Sequence, residues 1–242
     1  MLNDGYFMAI IKTSKGVKIK YHNRVLYGQK VINKPIAIDN LVAFKRVLDN
    51  AHIDFLIIAG TLLGAVREHD FISYDEDIDV ALLVENKQKL FDVLPELLAE
   101  GFEIARYDKR NLLSVIRNGE YIDLYFFYKS EEVLRRCNGW LIPAKFLENT
   151  ALISFKNNLF SAPRDYVEYL RYEYGETWQT PIKWFNYDIS NFLKFRIYIK
   201  ERAKEFLPPF VLSVIAKIKE KKFEKKFRNK LKVYQENGGV IA

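Results

Sequence analysis

The chain has 242 residues, 49% hydrophobic and 29% charged, the balance of a soluble globular protein with one full core plus appendages, which excludes a disordered or fibrous chain. Its net charge of +7 is unevenly placed: Ser190 to Ala242 carries 14 Lys/Arg against 5 Asp/Glu, a net of +9, which leaves −2 on the rest. The basic character therefore belongs to the tail and gives no reason to expect nucleic-acid binding by the main body.

The N-terminus, Met1 to Phe7, lacks a basic region followed by an apolar stretch, so no secretory signal is expected. The longest apolar candidate, Phe210 to Ala216, falls far short of the roughly 20 residues that cross a bilayer. A cytoplasmic location is the expectation. The single cysteine, Cys137, excludes an internal disulfide framework and reads as a bystander despite two neighbouring arginines.

Residues 6–32 read as β structure, with Met8 to Ile11 and Val17 to Tyr21 flanking a Ser14-Lys15-Gly16 turn. A helix is expected to start at Asp39 as its N-cap and to bury Leu41, Phe44, Val47 and Leu48 before fading near Asn50. Phe55 to Ala59 suits a short buried strand, and Gly60 to Arg67 switches to helical periodicity. After a loop, Asp77 to Val84 reads as a second strand. A helical stretch follows from Asn86 to Gly101, with Pro95 predicting a kink or two short helices. Leu112 to Arg117 and Glu120 to Tyr128 form a predicted hairpin about Asn118-Gly119, a dipeptide that tolerates positive φ at both turn positions. Short strand-like runs lie near Leu141 and from Leu152 to Phe160, and Pro163 to Tyr174 reads as a helix stopped by Gly175. One α+β catalytic domain results, residues 36–189, between an N-terminal hairpin extension, residues 1–35, and a basic helical tail, residues 190–242.

The chemistry is expected in Asp75-Glu76-Asp77-Ile78-Asp79-Val80. On a strand, Asp77 and Asp79 share one face, where two carboxylates repel unless a divalent cation lies between them. A solvated acidic turn is the competing explanation. The Gly60-Thr61 turn between strand and helix would let backbone amides approach a phosphate. Asp123, central in the apolar run Tyr121 to Phe126, is costly to bury unpaired. Either a nearby Arg or Lys pairs with it, or it lies beside the Asp77–Asp79 strand and completes a three-carboxylate metal site.

Gly60-Thr61-Leu62-Leu63-Gly64-Ala65-Val66-Arg67, Phe71-Ile72, Asp75-Glu76-Asp77-Ile78-Asp79 and Tyr121-Ile122-Asp123-Leu124 resemble the signature of the LicD family, which includes the fukutin-related proteins. The resemblance spans roughly residues 40–185 and departs from the family's pattern at Glu68-His69-Asp70 and Ser73-Tyr74. It implies a nucleotidyltransferase (DNA polymerase β-like) fold, a mixed sheet with flanking helices. It also implies transfer of phosphocholine or a related phospho-alcohol from a CDP-linked donor to a glycan or lipid-linked glycan. By the same resemblance Asp77, Asp79 and Asp123 bind metal and act in catalysis, with two Mg²⁺ or Mn²⁺ ions expected. Gly60, Thr61 and Arg67 would contact the donor phosphates or nucleotide, and Asp123 would also take the acceptor's proton. His69 reads as a solvent-exposed loop residue. Trp178 and Trp184, in an aromatic-rich stretch, read as core before they read as a stacking surface.

Three other readings compete. A nucleotidylyltransferase would use the same carboxylates and release pyrophosphate. A glycosyltransferase with an Asp-x-Asp motif would need a nucleotide-binding half upstream, for which there is little room. A non-catalytic module could instead dock the cationic tail, from Phe206 onward, on an anionic membrane surface. The same tail on a catalytic chain would make it peripheral to the inner membrane face.

Overall fold

The computed structural model describes residues 9–24, 31–108, 111–181 and 207–236, with Phe192, Arg196, Ile199 and Ala203 as isolated positions. Strands β1 (Ala9–Lys12) and β2 (Lys18–Tyr21) form the expected N-terminal hairpin and bury Ile11, Ile19 and Tyr21. Ser14, at its turn, binds the Asp92 carboxylate through both its N–H (2.6 Å) and its hydroxyl (2.7 Å), which ties the hairpin to the main body.

Helix α1 (Lys34–Asn50) starts five residues before the expected Asp39. Asn33 is the cap: its Oδ1 accepts from the Ile36 N–H at 3.3 Å, and Pro35 occupies the first turn, where its missing N–H costs nothing. Asp39 faces outward instead, paired with Arg117 at 2.6 Å. Leu41, Phe44 and Leu48 pack the inner face as the periodicity requires.

Only Leu56 and Ile57 of the first expected core strand pair as β3, because Ala59 adopts φ +47° and turns the chain into α2 (Ala59–Arg67). β4 (Ile78–Leu83) follows, one residue shorter at each end than expected. The Pro95 break is real: α3 (Lys87–Asp92) and α4 (Leu94–Ala99) are separate helices. β5 (Glu103–Asp108) has no counterpart among the expected elements. β6 (Leu112–Arg117) and β7 (Glu120–Glu131) form the expected hairpin, with φ +51° at Asn118 and +82° at Gly119. The later strand-like runs become two hairpins, β8 (Leu134–Cys137) with β9 (Trp140–Pro143) and β10 (Thr150–Phe155) with β11 (Asn158–Pro163).

The short helix α5 (Lys145–Glu148) joins these two hairpins. Helix α6 (Tyr166–Tyr174) starts three residues later than expected, because Pro163 still pairs in β11. A 28-residue helix, α7 (Pro209–Glu236), closes the described chain. Trp184 and most of residues 190–206 lie outside the described residues. No helix among the described residues is long and apolar enough to cross a membrane.

The main sheet runs β3-β4-β7-β6-β5, and β8 and β9 continue from the far part of β7. Its contacts are antiparallel except between β4 and β7, which are parallel, giving the mixed α+β sheet. Helix α1 holds this sheet through polar contacts centred on Asn40. Asn40, completely buried, donates its amide to the carbonyls of Arg117 (2.7 Å) and Glu120 (3.2 Å), the closing pair of the β6–β7 turn. Asn40→Ala would leave these carbonyls without that donor, at about 1–3 kcal/mol. A melting temperature lowered by roughly 2–10 °C in calorimetry is the expected result, and an unchanged value would show that the turn needs no support from α1.

Candidate active site

The site grows from the β3–α2 turn. The Ala59 N–H donates to the Tyr169 hydroxyl (3.1 Å), which arrives from α6 and is completely buried, so a helix far along the chain holds the turn. The Gly60 N–H donates to Asp79 Oδ2 at 3.3 Å, and the Asp79 N–H donates to Thr61 Oγ1 at 2.9 Å. The turn and β4 are thereby laced together. Thr61 is fully buried and its hydroxyl receives the backbone of Asp79. Its side chain therefore holds the backbone of a carboxylate residue, while Gly60 lines the cavity.

Both glycines of the Gly60-to-Gly64 segment answer to the acidic loop that follows. A side chain at Gly60 would collide with Asp75 Oδ2, and one at Gly64 would meet the Asp70 carbonyl oxygen at 2.5 Å. The backbone of the loop requires Gly64 to stay bare, whereas a side chain at Gly60 would displace the Asp75 carboxylate.

Asp79 and Asp123 are register partners across the parallel β4–β7 pair, so their backbones stand side by side. Asp77 lies one residue before β4 and faces the cavity with Asp75 and Asp123. Asp123 is buried, and Asp75, Asp77 and Asp79 are half-buried. Burial pushes the Asp77 carboxyl well above the usual carboxylate range, and the charges of Asp79, Asp123, Asp75 and Glu76 push it the same way. Burial also raises Asp79, helped by Asp75 and Asp123, while the Gly60 N–H and Tyr125 pull it back. Asp75 is pushed up to about 6, chiefly by burial.

Burial raises Asp123 as well, but it has more opposition, from Arg106, Ser114 and Tyr125. Arg106 Nη2 donates to Asp123 Oδ2 at 2.6 Å and Arg106 Nε to Ser114 Oγ at 2.8 Å, while Ser114 donates to Asp123 Oδ1. The pairing with a nearby cation, one of the two explanations open for Asp123, is thus present. Its placement beside Asp79 is present too.

These residues suit a hard divalent cation. Asp75, Glu76, Asp77 and Asp123 line a cavity whose described wall includes Arg67 and Arg106 as cations, with Asp79 packed behind. Asp75 Oδ2 is buried and has no hydrogen-bond partner among the described residues. Such a concentration of carboxylate oxygen is what Mg²⁺ or Mn²⁺ neutralises. Yet among the described residues no three acidic, histidine or cysteine side chains already form a group able to hold an ion. Asp77 and Asp79 would hold such an ion, joined by Asp123, whose carboxylate keeps lone pairs beyond those used by Arg106 and Ser114.

The cavity measures about 530 Å³. Its wall also includes Tyr74, Tyr121, Tyr125, Tyr174 and Trp178, with Tyr121 and Tyr125 flanking Asp123 on the same face of β7. Trp178 is both core and wall, only 7% exposed. Arg67 lines the cavity but is braced within its wall, Nη1 donating to the Trp178 carbonyl (3.2 Å) and Nη2 to Glu68 (2.8 Å). His69 is exposed, as expected for a loop residue. Cys137 is buried, and its thiol is pushed up to about 12 mainly by that burial, which leaves it unreactive.

Residues 52–165 match the LicD/FKTN/FKRP nucleotidyltransferase domain. An uncharacterized protein of Rickettsia typhi is 27% identical over 177 residues, covering 69% of this chain and 54% of that protein. Ribitol-5-phosphate transferase FKTN of Mus musculus is 24% identical over 212 residues, covering 77% and 44% respectively. Ribitol 5-phosphate transferase FKRP of Homo sapiens is 26% identical over 151 residues, covering 53% and 29%. The chain thus spans about half the length, or less, of these relatives. Among solved structures, the lincomycin-bound lincosamide adenylyltransferase LnuA overlaps 66% of this chain and 93% of its own at a TM-score of 0.39 and 11% identity, too distant to bear on this site.

Repulsion among the carboxylates is a strain that a neutral substitution relieves. Asp77→Asn is expected to raise the melting temperature of the metal-free protein by roughly 2–4 °C, about 1 kcal/mol for a chain of this size. It is also expected to abolish the rise that Mg²⁺ gives the wild type. Scanning calorimetry with EDTA or with Mg²⁺ reads both; a mutant that melts lower in EDTA and still responds to Mg²⁺ would place the ion elsewhere.

Proposed function

We propose that this chain, which belongs to the LicD/FKTN/FKRP family, transfers a phospho-alcohol group from a CDP-linked donor to a hydroxyl of a glycan and releases CMP. The observation that carries the proposal is the in-register pair Asp79–Asp123, with Asp77 beside it, at the mouth of the Gly60 turn. That arrangement supports the reading because it would give carboxylates to a metal-bound diphosphate and a group able to take the acceptor's proton. The relatives named as ribitol phosphate transferases make ribitol phosphate the first candidate for the transferred group.

Asp77 and Asp79 would hold Mg²⁺ or Mn²⁺, with Asp123 as a third ligand. When bound, the metal supplies charge neutralisation on the diphosphate oxygens. Arg106, at the cavity wall with about a third of its side chain exposed, is placed to meet phosphate oxygens as its hold on Asp123 loosens. Arg67, fixed to the Trp178 carbonyl, offers a second positive charge that cannot swing away. The aromatic wall of Tyr121, Tyr174 and Trp178 gives flat apolar surface for the donor's base or the acceptor sugar.

In the transfer, the acceptor hydroxyl oxygen bonds to the phosphorus that carries the alcohol. The bond from that phosphorus to the bridging oxygen breaks, and CMP leaves with the electron pair. The hydroxyl proton would pass to the Asp123 carboxylate, which faces the cavity.

Incubation with Mg²⁺, a glycan acceptor and each of CDP-ribitol, CDP-choline, CDP-glycerol and CDP-ethanolamine should release CMP from one donor. Asp79→Ala should lower kcat/KM for that donor by about 10²–10³-fold or more. Pyrophosphate released from CTP, with no CMP from any CDP-alcohol, would contradict phospho-alcohol transfer and favour nucleotidyl transfer.

A further inference from the structure

Among the described residues, helix α7 is anchored through one face. Phe227 and Leu231 pack with Leu134 and Leu141 of the β8–β9 hairpin. Arg136, from the same hairpin, donates to Glu224 at 2.7 Å and lays its guanidinium 3.9 Å from the centre of the Phe227 ring. These contacts fix the helix's rotation, since at about 100° per residue Glu224, Phe227 and Leu231 fall within an arc of roughly 60°.

A second arc faces away from this hairpin. Phe210 (71% exposed), Val214 (52%) and Ile218 (52%) recur every fourth residue. Lys221 and Lys225, both exposed, continue the same stripe toward the C-terminus. These five residues fall within an arc of about 80°, turned roughly 110° from the centre of the docked face. An apolar row that runs into a cationic row along one face of an anchored helix is unusual for a merely solvated surface, which would not concentrate exposed apolar side chains.

We propose that α7 docks this protein on an anionic membrane surface. Phe210, Val214 and Ile218 would enter the boundary between headgroups and acyl chains, with Lys221 and Lys225 against lipid phosphates. Charge complementarity favours this occupant: an apolar protein partner would leave the two lysines unanswered, and a nucleic acid would leave the apolar row in water. β7 carries Asp123 near its start and pairs with β8 from Tyr128 onward, about 17 Å further along the strand. The membrane face and the cavity are thus separate, and the docking is independent of the transfer chemistry.

Flotation of the full chain with phosphatidylcholine vesicles containing phosphatidylglycerol, against pure phosphatidylcholine, tests it. The wild type should float with the anionic vesicles and remain below with the neutral ones. Val214→Glu/Ile218→Glu and Lys221→Glu/Lys225→Glu should each reduce the bound fraction by about tenfold, while the melting temperature stays near the wild-type value. Equal binding by the wild type and both variants would overturn the proposal, as would wild-type binding to a generic RNA with none to anionic vesicles. If either variant melts lower, Val214→Ser/Ile218→Ser serves in its place, and undiminished flotation would again overturn it.

Discussion

The parallel register of β4 and β7 sets Asp79 beside Asp123, and most features of the site answer to the repulsion this creates. Two carboxylates on adjacent strands, with Asp77 and Asp75 close by, would spread apart in water. Here the sheet forbids it, because the apolar neighbours Ile78, Val80, Ile122 and Leu124 are buried on its other face and fix the pairing. The protein offsets part of the charge with donors aimed at each carboxylate: Gly60 at Asp79, and Arg106 with Ser114 at Asp123. What remains is the residual attraction for a cation.

The supports of the site come from widely separated parts of the chain. Tyr169 on α6 holds the β3–α2 turn, Thr61 holds the backbone of Asp79, and Asn40 on α1 holds the turn that places β7. None of these three need touch a substrate. Each acts on the geometry of the carboxylate site. Preorganisation of this kind holds charges in place before any ligand arrives.

Parts of this were legible in the sequence because they rest on local rules. Asn118-Gly119 announces its hairpin through positive φ, and the two-residue turn also fixes the pairing of Ser114 with Asp123, so Ser114 could have been read off. Pro95 announces the break between α3 and α4 by steric necessity. Arg106 was not legible, because β5 shows little alternation and joins β6 through an irregular register at Ile104 and Arg106. That β7 lies beside β4 was anticipated only through the acidic residues themselves, and the parallel sense of the pair was not anticipated. The pairing spans a long crossover, and no short-range signal encodes it. The role of the Thr61 side chain, which holds the backbone of Asp79, was not legible either, because it depends on a contact with a strand distant in sequence.

The most direct test is a crystal grown or soaked with Mn²⁺ and CDP and examined by anomalous scattering. The account predicts a peak between Asp77 and Asp79, with Arg106 Nη2 withdrawn from Asp123 and turned toward phosphate. A peak elsewhere, or no peak with the Arg106–Asp123 pair intact, would contradict it.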